Sequence, residues 1–126
     1  MTNETVPRRR FPYVRCPWKR ETPPGEFSAE RYEALKCTSE QPDGIEPGLS
    51  APMFACHKTD EGAEEACAGW LAAVGHRHIG VRLAVAHGRL DAAALRPGEG
   101  WPELFDAYEE MAAHQGRPRE GKEPHP

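Results

Sequence analysis

The chain has 126 residues, 38% of them hydrophobic, with 13 prolines, 12 glycines and a formal net charge of −4. That length suits a single domain with a small core, and the Pro and Gly content assigns much of it to turns and loops. No apolar run approaches the roughly 20 residues of a membrane span, the N-terminal stretch lacks the apolar segment of a secretory signal, and the acidic balance excludes nucleic-acid binding by bulk charge; a cytoplasmic location is expected.

In chain order, residues 1–14 carry Arg8, Arg9 and Arg10 without periodic apolar spacing and read as a flexible basic arm ahead of a domain at residues 15–115. Residues 16–25, C-P-W-K-R-E-T-P-P-G, hold Pro17, Pro23 and Pro24, which remove backbone donors and force turn or extended geometry. An ordered loop anchored by Trp18 is the expectation. Ser28 suits the N-cap of a helix over residues 29–36, with Tyr32 and Leu35 on one face. Residues 38–51 have no period and read as a long loop, and Met53, Phe54, Ala55 and Cys56 then form a brief apolar run with strand character.

Residues 64–74 place Cys67, Trp70, Leu71 and Val74 at helical spacing, with acidic residues in the first turn and Gly75 just after the last. Residues 78–87 alternate as a strand would, yet the alanines favour a helix with Ile79, Leu83 and Ala86 on one face. Asp91 caps a single turn through Leu95, and Pro102 opens a last helix to Gln115 with Leu104, Phe105, Tyr108 and Met111 as its apolar stripe. Residues 116–126 are charged and proline-rich, the composition of a disordered tail. The fold class expected is small and mainly α with little β, its Pro/Gly-rich loops stapled by a metal.

In a reducing compartment cysteines are more often thiols, metal ligands or redox groups than disulfides. Two four-ligand sets can be drawn: Cys16, Cys37, Cys56 and Cys67, or Cys16, Cys56, His57 and Cys67. The second needs a backbone turn between Cys56 and His57, because neighbours in a strand point to opposite faces. The spacings contain no C-x₂-C pair, the usual mark of a zinc ribbon. Zinc is the first choice of metal, and an iron–sulfur cluster is the alternative, since Cys16-Pro17 matches one step of a ferredoxin-type run.

Trp18 and Trp70 flank the candidate ligands as core or as shields against water. Arg8, Arg9, Arg10, Lys19 and Arg20 are interleaved with Phe11, Tyr13 and Trp18, a composition that can contact phosphates and stack on bases, so a nucleic-acid partner is a further alternative. There is no glycine-rich phosphate loop, nucleophile elbow or His-Glu-x-x-His helix, and no catalytic residue is assigned. One enzyme-like reading pairs a Cys56 thiolate with His57 as its activator. The leading expectation is an interaction or regulatory module that binds an unidentified protein partner.

Three segments, C-P-W-K-R-E-T-P-P-G at 16–25, M-F-A-C-H-K at 53–58 and C-A-G-W at 67–70, resemble an uncharacterised actinobacterial and phage family of domains of unknown function. Its members look like C-P-(W/Y)-R-x-D-x-P-x-G, then F-x-C-H, then C-A-G-W. The resemblance spans about residues 16–90 and implies that Cys16, Cys56, His57 and Cys67 belong to the family signature, with Cys37 outside it. Some relatives have a further cysteine where this chain has Tyr13, so Cys37 is kept as an alternative ligand.

Overall fold

The computed structural model of the chain describes residues 5–26, 29–56 and 65–116. Four helices, α1 (Ala29–Ala34), α2 (Ala68–Val74), α3 (Ile79–Ala86) and α4 (Tyr108–Gln115), carry the regular structure, and 3₁₀ turns follow α1 at Leu35–Thr38, α2 at Gly75–Arg77 and α3 at Ala92–Leu95. Pairing between extended segments is limited, among the described residues, to isolated bridges. The molecule is therefore small and mostly helical with little strand, as its sequence leads one to expect.

Helix α2 is the centre of the fold. Ala68, Gly69, Trp70, Leu71, Ala72 and Val74 are all buried, so the helix is covered on every side. Around it stand Trp18, Phe54, Val81, Tyr108 and Met111 in one continuous cluster. Trp18 packs edge-on against Phe54 with ring centres 6.0 Å apart and against Tyr108 at 6.1 Å. Tyr108 donates its hydroxyl hydrogen to the Tyr32 carbonyl, which ties α4 to α1.

Residue 66 is the hub of the backbone pairing that feeds α2. Ala66 bridges Arg8 in parallel and Ala55 antiparallel. Its N–H donates to the Pro7 carbonyl at 2.9 Å and its carbonyl accepts from Arg9 N–H at 3.0 Å, while Cys56 N–H reaches Glu65 O at 2.7 Å and Cys67 N–H reaches Phe54 O at 2.8 Å. Part of the basic segment expected to be a free arm is thus paired with the core. Pro7 fits because this edge asks it only for a carbonyl.

Two element boundaries and one face differ from the sequence reading. The helix expected from 64 begins at Ala68, because Glu65 and Ala66 are held extended by the pairing just described. The helix expected from Pro102 begins at Tyr108. Leu104 bridges Lys19 instead, and Phe105 N–H bonds Trp18 O at 2.9 Å while Arg20 N–H bonds Glu103 O at 2.9 Å. Residues 79–86 are helical, but the buried side is Val81 and Ala84, with Leu83 42% exposed. The cap sets this phase: His78 Nδ1 accepts from Val81 N–H at 3.2 Å and its Nε2 donates to Pro52 O at 3.1 Å. The Ser28 cap and residues 117–126 lie outside the described residues.

The Pro-Pro-Gly stretch is held by one buried amide. Gln115, 1% exposed, donates from Nε2 to Pro23 O at 3.1 Å and Thr22 O at 3.4 Å, and its Oε1 accepts from Glu26 N–H at 2.9 Å. Gly25 turns with φ 93°, the left-handed region that glycine alone enters cheaply, and gives its N–H to Gln115 O at 3.0 Å. Replacing Gln115 with Leu removes the partner of Pro23 O, while Thr22 O keeps His114 Nε2 at 2.9 Å. Loss of about 1–3 kcal/mol of stability in urea denaturation is expected, with the circular dichroism of the native state unchanged.

Candidate functional site

Cys16 is set by the loop that follows it. Its N–H donates to Tyr13 O at 2.9 Å and its carbonyl accepts from Lys19 N–H at 3.2 Å and from the Thr22 hydroxyl at 2.7 Å. Pro17 fixes φ at the turn, which folds the chain back over Cys16. The Lys19 side chain is 7% exposed, donates to Val14 O at 2.9 Å and pairs with Glu21 at 3.1 Å.

Cys67 is the N-cap residue of α2, and its sulfur lies 3.6 Å from that of Cys16, both buried. The close approach requires Gly69. A Cβ there would stand 2.9 Å from Trp18 Cβ and 3.0 Å from Cys16 Sγ, so any side chain pushes the C-P-W loop off the helix. In the antiparallel pairing, residues 54 and 56 share a face with 65 and 67. That places the buried Cys56 on the side of Cys67 and of Phe54, which touches Trp18.

The two sulfurs are electrostatically unequal. The hydrogen bond from Cys67 holds the Cys16 thiol below its ordinary value, and the Trp18 and Lys19 N–H groups and the Lys19 charge act in the same direction against burial. Cys67 is pushed well above the ordinary value by the hydrogen it gives to Cys16, by burial and by the charges of Cys16 and Cys56. The contact thus favours ionisation at Cys16 over Cys67.

A zinc ion bound tetrahedrally at about 2.3 Å from sulfur separates two thiolates by about 3.8 Å. The observed 3.6 Å is close to that edge. Among the described residues no three Cys, His, Asp or Glu side chains are gathered as one metal-binding group, and His57 lies outside them. Cys37 is exposed on the 3₁₀ turn after α1, where its thiol donates to Ala34 O at 3.7 Å.

The five basic residues separate. Arg9 pairs with Glu65 at 3.4 Å. Arg20 is engaged within the fold by Leu104 O at 3.0 Å, by Asp106 and Glu110 at 3.2 Å, and by the Phe105 ring 5.0 Å below it. Lys19 is buried as described, which leaves Arg8 and Arg10 on the surface cleft considered below. Sequence reasoning missed Thr22, Gly69 and His78 as supports of the site. Their signals were present: a threonine at a set distance after C-P-W, a glycine inside a helix, and a histidine just ahead of one. The His78 ring also packs edge-on to Trp70 at 5.3 Å.

A family model described as a family of unknown function, DUF6283, matches residues 8–125, and the chain belongs to that family. No curated protein matches significantly, and neither does any solved structure.

Two outcomes are expected from this geometry. Gly69→Ala should cost about 1–3 kcal/mol in urea denaturation, the range of an overpacked core, and raise the reactivity of Cys16 toward a thiol reagent. In metal-free, reduced protein the lowered Cys16 group adds stability as pH rises toward the ordinary thiol value of 9.0, where the unfolded chain binds more protons. The raised Cys67 group removes stability as pH rises beyond that value, because the unfolded chain then loses its proton first. Urea midpoints measured across this range should therefore pass through a maximum near pH 9.0, and Cys16→Ser should abolish the rise.

Proposed function

We propose that the chain is a small metal-binding module whose ion, zinc, is held by Cys16, Cys56, His57 and Cys67. The reading rests on one observation, two buried sulfurs from distant parts of the chain 3.6 Å apart. Cys56, on the same face of the pairing as Cys67, supports it as the third ligand, and His57 follows directly in sequence. The exposed Cys37 is left out of the set.

Bound there, the cation would stabilise both sulfurs as thiolates and link the 16–22 loop, the 54–56 segment and the start of α2. Its role is structural, presenting a surface to a partner. A second reading is favoured by the contact itself. Two thiols 3.6 Å apart form a disulfide when an oxidant takes two electrons and both protons leave.

The test is metal analysis of protein purified anaerobically without a histidine tag. About one zinc per chain is expected, lost in Cys16→Ser, Cys56→Ser, His57→Ala and Cys67→Ser and retained in Cys37→Ser. Chelation should remove helical circular dichroism from the wild type. Iron with acid-labile sulfide in place of zinc would make the site a cluster. Metal-free protein that forms a Cys16–Cys67 disulfide under mild oxidant would replace the proposal with the thiol reading.

A further inference from the structure

The pairing of residues 6–9 onto Ala66 and of Val6 N–H onto Arg89 O at 2.9 Å lays the N-terminal segment along the turn after α3. Two clefts result on either side of the same strand. The larger, about 620 Å³, lies between Arg8, Arg10 and Arg89. The other, about 310 Å³, is flanked by Arg8, Arg9, Arg10 and Arg96 and floored by Trp101. Arg8 and Arg10 line both, so the guanidinium groups form one cationic strip across segments far apart in sequence.

Two acidic groups line the larger cleft, Glu65 and Asp91. Glu65, in the larger cleft, pairs with Arg9, and Asp91 accepts the Ala93 N–H as cap of the 3₁₀ turn at 2.9 Å. Among the described residues, Arg8, Arg10 and Arg96 have no acidic partner, and Arg10 and Arg96 are exposed. At one end of the strip Phe11, 52% exposed, stacks edge-on to Trp101 with centres 5.6 Å apart. Trp101 is pinned against Gly98, where a Cβ would come 3.0 Å from its indole nitrogen.

We infer that this strip binds single-stranded nucleic acid, with Arg8, Arg10 and Arg96 on successive phosphates and a base seated on the Phe11–Trp101 pair. A row of guanidinium groups beside aromatic rings, on a chain whose net charge is negative, concentrates positive potential where a polyanion with planar bases fits both parts. The inference is independent of the metal reading. It redraws the basic set visible in sequence: Lys19 and Arg20 are engaged internally, and Arg96 joins Arg8 and Arg10.

The test is fluorescence anisotropy of the full chain with a labelled oligo-dT and its rU counterpart over a range of salt. Neutralising three phosphates on a single strand gives a slope of log K against log salt of about −2. The exposed-surface variant Arg8→Gln/Arg10→Gln/Arg96→Gln should bring that slope near zero, and Trp101→Ala should weaken binding about tenfold or more with the slope retained. Arg15→Gln, at an arginine that pairs with Glu26 away from the strip, should bind as wild type. No binding at low salt would overturn the inference, and so would affinity for heparin equal to that for oligonucleotide combined with no loss in Trp101→Ala. Near-UV circular dichroism of each variant verifies that the fold is retained.

Discussion

The contact between the Cys16 and Cys67 sulfurs is the constraint on which the arrangement of this molecule depends. It joins a proline-rich loop to the first residue of the central helix, and it exists because position 69 has no side chain. Around it the largest residues of the core close: Trp18 on one side, Trp70 on the other, both fully buried. A domain with a small apolar fraction cannot rely on area alone, and here the area it has is concentrated at one junction.

The rest of the fold answers a single problem, how to satisfy backbone groups in a chain with many turns and little sheet. Ala66 receives the N-terminal segment on one edge and the 54–56 segment on the other. Trp18 and Arg20 are bonded to residues 105 and 103, and Pro23 gives its carbonyl to Gln115. His78 serves as both a helix cap and a tether for the loop at Pro52. Each of these devices holds a segment that ends at or beside a sulfur, so the irregular backbone is positioned for the site as well as for itself.

Much of this was legible in the sequence where signals are local. The short helix after Ser28, the helix at 79–86, the Asp91 cap and the burial of Trp18 and Trp70 all follow from spacing and capping chemistry. What failed depended on pairing between distant segments. Glu65 and Ala66 read as a helical first turn until Pro7, Arg9 and the 54–56 segment claim their backbone groups, and Leu104 and Phe105 read as a helix stripe until Lys19 and Trp18 pair with them. The buried face of α3 was misjudged because its cap, and not its hydrophobic count, sets the phase. At the site, Cys16 and Cys67 stand out as motif residues and are in contact, but nothing local tells that Lys19 and Arg20 turn inward while Arg89 and Arg96 line the surface beside Arg8 and Arg10.

The measurement closest to the centre of this account is X-ray absorption at the zinc edge on the protein as isolated. A first shell of three sulfurs at about 2.3 Å and one nitrogen at about 2.0 Å is what a site built from Cys16, Cys56, Cys67 and His57 predicts. A shell of oxygen and nitrogen alone, or no edge at all, would contradict it and leave the two sulfurs as a thiol pair.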